Sequence, residues 1–126
     1  MPHFTIEYSA NLESQVDMTA FCGAVLDAAL ATEVFEVGAV RVRAMRCEHY
    51  AIADRAAANG FIDVSLRMGA GRDRGLKRQA GDAIFSAMMG FLKPLFVGKH
   101  FALSFEIREI DPELSYRKNS IHERLR

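Results

Sequence analysis

The chain has 126 residues, of which 50% are hydrophobic and 25% charged, as expected of one folded domain spanning 1–126. Sixteen basic residues balance sixteen acidic ones, so the overall charge indicates neither a nucleic-acid nor a membrane partner. No apolar run approaches the ~20 residues of a membrane-spanning helix. The two cysteines lack redox or metal-site spacing and no leader precedes them, so we expect a cytoplasmic protein whose thiols serve packing.

Pro2 follows Met1 and stands at the head of an alternating apolar segment that predicts a strand over residues 3–9. Removal of Met1 would turn Pro2 into a secondary amine with an ordinary pKa of about 8. Burial beside cationic groups would lower that pKa and produce a general base suited to neutral pH. Proline is also tolerated at the start of a strand for purely structural reasons, so the dipeptide alone leaves both interpretations open.

The first strand is followed by a predicted helix and a second strand. The helix is expected over residues 12–32 with Asn11 as its cap, and its apolar stripe comprises Met18, Phe21, Cys22, Val25, Leu26, Ala29 and Leu30. The strand, expected over 39–45 inside the sheet, places Arg41 and Arg43 on the same face because side chains alternate along a strand.

A second unit of the same kind begins with a predicted strand over 61–68 and a turn over 69–72. The next helix is expected from about residue 73 to 96, with Gly98 as its stop and Pro94 as a possible earlier end. Its apolar stripe comprises Leu76, Ala80, Ile84, Met88, Phe91 and Leu95. A last strand is predicted over 103–110, and Asp111-Pro112 ends it.

The repetition of strand, helix and strand, over about 2–46 and 60–110, predicts an α+β fold from a duplicated βαβ unit. Right-handed crossovers then give one four-stranded sheet with both helices on one face. We interpret Phe4, Ile6, Tyr8 and Met68 as residues of the other face, which would be too apolar for water and so requires an oligomer. Segment 46–60 and the tail 111–126 are candidates to reach a neighbouring subunit, although the tail could equally be a frayed, charged terminus.

The turn Gly69-Ala70-Gly71-Arg72 is a candidate anion site, because backbone amides and a guanidinium before a helix favour a carboxylate or phosphate. The alternative is that the glycines only make the turn and Arg72 is a solvated surface residue. The segment matches neither the dinucleotide fingerprint nor a Walker loop, so we do not expect a nucleotide.

Arg41 and Arg43 need an anionic partner or access to solvent if they lie inside a sheet. That partner could be a substrate, or an interfacial salt bridge with Glu7, Glu106 or Glu109. The four histidines show no ligand spacing, so we expect no metal, and no nucleophile motif is present.

Several segments together resemble the tautomerase superfamily, and more narrowly the 5-carboxymethyl-2-hydroxymuconate Δ-isomerase family. They are the start Met1-Pro2-His3-Phe4 with Glu7, Ser9 and Asn11, then 68–72, Gln79-Ala80-Gly81, Leu103-Ser104-Phe105-Glu106-Ile107, and Asn119 with His122. The similarity extends over essentially the whole chain and is less clear between residues 45 and 59.

The resemblance implies a homotrimer with active sites near the subunit boundaries. The family's catalytic proline falls on Pro2, and its carboxylate-binding arginines fall on Arg41 and Arg72, with Arg43 as a less secure neighbour. The implied activity moves a proton along an unsaturated 2-hydroxy or 2-oxo acid with two or three carboxylates, as in aromatic catabolism, and needs no cofactor.

Two other functions remain open within the same superfamily. The same residues could tautomerise phenylpyruvate, or hydrate or dehalogenate an unsaturated acid. A trimeric relative could also have kept the scaffold as a non-catalytic binding module, as macrophage migration inhibitory factor suggests.

Overall fold

A computed structural model describes all residues, 1–126, and its four strands form one mixed sheet. The elements are β1 His3–Ser9, α1 Met18–Ala31, β2 Arg41–Cys47, β3 Gly60–Gly69, α2 Arg74–Phe91, β4 Phe101–Ile110 and α3 Ser120–Leu125. The strand order is β2-β1-β3-β4, with β1 parallel to β2, β3 parallel to β4, and β1 antiparallel to β3. Each βαβ unit therefore forms half of the sheet, and the predicted α+β fold is confirmed.

Helix α1 begins at Met18, six residues later than predicted, because Asp17 caps it. The Asp17 carboxylate accepts a hydrogen bond from the Ala20 amide at 3.0 Å, which satisfies one of the free N–H groups of the first turn. Residues 10–12 form a short 3-10 turn instead. Asn11 is therefore not the helix cap, and its side-chain amide donates to the Asn59 carbonyl at 2.7 Å.

Helix α2 ends at Phe91 and is followed by a 3-10 turn over Lys93–Phe96. Pro94 lies in that turn and, lacking an N–H, cannot continue the helix, so the earlier end is confirmed and Gly98 is not the stop. Leu92 adds a buried residue to the predicted stripe, whereas Leu76 is 41% exposed. None of the helices is both long and apolar enough to cross a membrane.

The core lies between the sheet and the two long helices, and the predicted face assignment of the strands is wrong. Phe4, Ile6, Tyr8 and Met68 are at most 5% exposed and belong to the core cluster beneath the helices. The opposite face carries largely polar side chains, among them His3, Thr5, Glu7, Asp63, Ser65, Ser104, Glu106 and Arg108. An apolar open face therefore does not argue for an oligomer.

Arg41 and Arg43 share the open face, as predicted, but β2 is an edge strand rather than an internal one. Arg41 pairs in register with His3 of β1 and Arg43 pairs with Thr5. An edge position gives both guanidinium groups access to solvent, so neither needs a buried anion. Two of the suggested salt-bridge partners are bound elsewhere within the chain, Glu106 by Arg108 and Glu109 by Lys77.

Candidate active site

A cleft of about 510 Å³ lies at the edge of the sheet where β1 begins and β3 ends. Three segments form its walls: the N-terminus, the connection between α1 and β2, and the tail after β4. The turn after β3 completes it. The residues that line it are Met1, Pro2, Phe35, Glu36, Ala39, Gly69, Ala70, Arg72, Arg117, Asn119, His122, Glu123 and Arg126.

Pro2 is buried at the cleft, and its carbonyl accepts a hydrogen bond from the Arg41 amide at 3.1 Å. Its nitrogen is an amide while Met1 is attached, so only removal of Met1 can give it a basic lone pair. Partial burial lowers the pKa of the Met1 ammonium group, and the charges of Arg117, Arg41 and Arg72 lower it further. An amine at this end of the chain is therefore held toward its neutral, proton-accepting form.

Arg72 lines the same cleft and is held in a defined position by the first βαβ unit. Its Nη2 donates to the Val34 carbonyl at 3.2 Å, and its guanidinium carbon lies 5.6 Å from the centroid of the Phe35 ring. Gly71, with φ 107°, permits the turn that brings the side chain there. Arg72 has no carboxylate partner within the chain, so it is available to an anionic ligand.

The N-terminus of α2 does not add backbone amides to this site. The Asp73 carboxylate accepts from the Gly75 amide at 2.9 Å and from the Leu76 amide at 3.4 Å. Asp73 therefore caps the helix, and of the groups that the sequence suggested for anion binding at this turn, the Arg72 side chain remains.

Arg41 and Arg43 do not line the cleft. The Arg41 guanidinium donates to the carbonyls of Gly38 and Ala39, at 3.3 and 2.8 Å, and so braces the turn before β2. Arg43 Nη1 lies 3.3 Å from His3 Nδ1. Burial and the charges of Arg67 and Arg43 lower the pKa of His3, which favours a neutral ring that accepts this hydrogen bond.

The sequence patterns did not single out the tail as part of the site, yet it supplies five lining residues. Asn119 caps the six-residue helix α3, since its Oδ1 accepts from the His122 amide at 3.1 Å. Asn119 also donates to the Gly38 carbonyl at 2.9 Å, and His122 Nε2 lies 2.6 Å from Glu36 Oε2. Asparagine three residues before His122 is a cap signal that could have predicted the helix, but not where it packs.

Gly38 allows this close packing. A Cβ at Gly38 would lie 2.6 Å from the His122 Cα, a distance that requires the backbone to move. His122 Nδ1 is buried without a hydrogen-bond partner.

The cleft thus combines a chain terminus with a surplus of fixed positive charge. Its three arginines, Arg72, Arg117 and Arg126, outnumber its two carboxylates, Glu36 and Glu123. Glu36 already binds His122 and Arg126. Such a site can hold an organic anion and place one of its atoms beside an amine. It can also stabilise negative charge that develops during a proton transfer.

Residues 2–125 match the sequence model of the family described as 5-carboxymethyl-2-hydroxymuconate isomerase. The 5-carboxymethyl-2-hydroxymuconate Delta-isomerase of Escherichia coli is 30% identical over 122 residues, which cover 97% of this chain and 97% of that protein. These two findings agree over nearly the full length of the chain.

Solved structures give the same result. The crystal structure of a 5-carboxymethyl-2-hydroxymuconate isomerase from Deinococcus radiodurans R1 is 34% identical, with a TM-score of 0.92 over 99% of this chain and 94% of that one. A macrophage migration inhibitory factor-like protein from Entamoeba histolytica, 9% identical, superposes with a TM-score of 0.64 over 94% of this chain and 96% of that one. The second likeness concerns the fold alone.

Proposed function

Because this chain belongs to the 5-carboxymethyl-2-hydroxymuconate isomerase family and is an isomerase, we propose that its Pro2 amine is the base of the reaction. The substrate is an unsaturated 2-hydroxy or 2-oxo acid with two or three carboxylates, such as 5-carboxymethyl-2-hydroxymuconate. The reaction moves a proton along the conjugated chain and interconverts the dienol and the unsaturated ketone. We assign it to aromatic catabolism in the cytoplasm.

The observation that supports this proposal most strongly is the shared cleft of Pro2 and Arg72. The group that binds the substrate carboxylate can position the substrate for the base only if both groups contact the same bound molecule. Pro2 is buried, and the surrounding arginines disfavour a protonated amine at this end of the chain. The same charges favour an anionic substrate.

The mechanism follows from these positions. Arg72 binds a substrate carboxylate, with two parallel hydrogen bonds fixing the plane of the conjugated system. The Pro2 nitrogen removes the proton of the 2-hydroxyl group, which leaves a dienolate, and the resulting ammonium returns that proton to a carbon further along the chain. The arginines stabilise the dienolate between the two transfers. Its negative charge lies on the oxygen that becomes the carbonyl of the product, so we propose no cofactor.

Arg41 and Arg43 contribute to this proposal to different extents. Arg41 contributes charge near the N-terminus and braces the turn that carries Ala39, so its substitution would act on the cleft through that turn. Arg43, paired with His3 on the open face, is the weaker candidate for substrate contact.

We also propose that three copies of the 14.0 kDa chain assemble as a homotrimer. The edge strands β2 and β4 each leave one side without a partner strand, and the open sheet face is accessible. A fused 4-OT protein with the same fold, 15% identical, is described as a symmetric trimer. Native mass spectrometry of the purified protein would give the number of chains directly.

The test follows the ultraviolet absorbance of 5-carboxymethyl-2-hydroxymuconate with protein from which Met1 has been removed. The matched control is the same protein with its N-terminal amine acetylated. We expect rapid isomerisation by the free amine and a loss of about 10²- to 10⁴-fold on acetylation, the range typical of a general base. Undiminished turnover by the blocked protein would show that Pro2 is not the base. Turnover of phenylpyruvate enol but not of the polyacid would point to a different substrate.

A further inference from the structure

The tail after β4 is fixed over the cleft by contacts with the turn before β2. The Asn119 amide donates to the Gly38 carbonyl at 2.9 Å, and His122 pairs with Glu36 at 2.6 Å. Gly38 leaves no room for a side chain beneath the His122 backbone. These contacts fix the residues immediately before α3 as well as the helix itself.

Arg117 lies two residues before Asn119 and is brought to the cleft by this anchoring. It lines the 510 Å³ cleft and also a smaller cavity of about 190 Å³, and Met1 lines both. No carboxylate of the chain forms an ion pair with it, whereas Arg126, farther along the tail, is held by Glu36. Arg117 is thus a cleft arginine whose charge the protein itself does not neutralise.

Arg72 and Arg117 reach the cleft from different segments, the turn after β3 and the tail after β4. Two unpaired guanidinium groups in one cleft suit a ligand with two separated carboxylates better than a ligand with one, because each carboxylate can receive its own charge-assisted hydrogen bonds. The charge of Arg117 also helps to lower the pKa of the N-terminal amine, which places it electrostatically close to that end of the chain.

We propose that Arg117 is a specificity-determining residue that binds a second carboxylate of the substrate while Arg72 binds the first. This inference rests on the proposed function for the identity of the substrate, but the recognition of a dicarboxylate can be tested without catalysis. The tail then selects polyacids over monoacids, and the contacts of Asn119 and His122 set the position of Arg117.

The test compares adipate and hexanoate, two saturated six-carbon acids that differ by one carboxylate, in calorimetric titrations of protein lacking Met1. The variants are Arg117→Ala, Arg117→Lys and, as a matched control, Lys118→Ala, which changes the neighbouring exposed cation that does not line the cleft. We expect Arg117→Ala to weaken adipate binding about 10- to 100-fold, as for loss of a charged hydrogen bond. Hexanoate binding and the control should change by less than about twofold.

A second variant tests whether the anchoring of the tail matters. Gly38→Ala should weaken adipate binding in the wild-type background and have little further effect with Arg117→Ala, because both changes remove the same contact. An equal loss of adipate and hexanoate on Arg117→Ala would overturn the proposal, as would an unchanged adipate affinity or a wild-type protein that does not prefer adipate. Circular dichroism confirms that each variant is folded.

Catalysis separates this inference from the proposed function. With 5-carboxymethyl-2-hydroxymuconate, Arg117→Ala should raise KM by about the factor seen for adipate and leave kcat nearly unchanged. A protein that prefers adipate through Arg117 but does not isomerise the polyacid would support the inference and contradict the proposed function. If the Arg117→Ala variant isomerises the polyacid as well as the unsubstituted protein does, the result would support the proposed function and contradict the inference.

Discussion

The two ends of the sheet are related by the duplication, yet one is an open, arginine-rich cleft and the other is closed by hydrogen bonds within the chain. At the closed end, where β1 ends and β3 begins, Asn11 donates to the Asn59 carbonyl at 2.7 Å, and His100 Nδ1 lies 2.9 Å from Asn59 Oδ1. A Cβ at Gly60 would lie 2.8 Å from the Leu12 side chain. The same strand–helix–strand unit can therefore form either a packed end or an open cleft.

The difference comes from the segments that follow the outer strands. After β2, residues 48–59 lead directly into β3, and Asn59 binds both Ile52 and Asp54 within that segment. After β4, the tail instead crosses to the turn at Gly38 and leaves a cleft beneath it. Charge is arranged differently at the two ends. Arg72 and Arg117 reach the cleft without a carboxylate partner, whereas at the closed end Asp54 accepts a hydrogen bond from Asn59 and Arg46 pairs with Glu48.

The largest effect should come from removing the proposed carboxylate anchor, Arg72, at the open end. Arg72→Ala should lower kcat/KM for the polyacid by about 100-fold, the upper range for a hydrogen bond to a charged group. Arg74→Ala, an exposed arginine at the start of α2 that does not line the cleft, is the matched control and should change kcat/KM by less than about twofold. Steady-state kinetics would measure both, and equal losses in the two variants would mean that overall charge, not a specific anchor, attracts the substrate.

A substitution at the closed end should affect stability and leave catalysis unchanged. Ser9 is fully buried, and its Oγ accepts a hydrogen bond from the Phe61 amide at 3.0 Å. Ser9→Ala leaves that N–H without a partner and should lower the free energy of unfolding by about 1–3 kcal/mol. Urea denaturation would measure this loss.

The exposed Ser86 on α2 provides the control for that experiment. Ser86→Ala should change the free energy of unfolding by less than about 0.5 kcal/mol, because alanine is a good helix former and no buried group loses a partner. A large fall in activity with Ser9→Ala would contradict the division between a structural end and a functional end.

Hydrophobic periodicity predicts the four strands and two long helices in chain order, and it places Pro2 and Arg72 at the same edge of the sheet. It does not give the strand order, and β2, expected inside the sheet, lies at its edge. The alternation predicts β1 itself, but the prediction that Phe4, Ile6 and Tyr8 lie on the open face is wrong. The apolar stripes of the helices need an apolar surface to pack on, and this requirement decides which face is buried. The tail position could not be predicted, because its contacts with Gly38 and Glu36 join residues about eighty positions apart and follow no local period.

The smallest expected effect is a shift in the pH dependence of activity. Burial and the nearby arginines lower the pKa of the Met1 ammonium from its ordinary value of 8.0. We expect the same surroundings to lower the pKa of the Pro2 amine once Met1 is removed, so kcat/KM should rise with pH through a pKa below about 8 as Pro2 loses its proton. An amine with a lowered pKa binds fewer protons in the folded state than in the unfolded state. The free energy of unfolding should therefore also rise with pH between the folded-state pKa and about 8.

Removing one of the responsible charges should move that pKa back toward 8. Arg117→Ala and Arg72→Ala should each shift the rising limb of kcat/KM to higher pH, while Arg74→Ala should leave it in place, since Arg74 is not among the charges that act on the amine. Rates measured from about pH 5 to 9 would resolve the shift. If the rising part of the kcat/KM profile stays at the same pH in both cleft variants, burial alone lowers the pKa of the amine. The arginines at this end would then act only on the substrate.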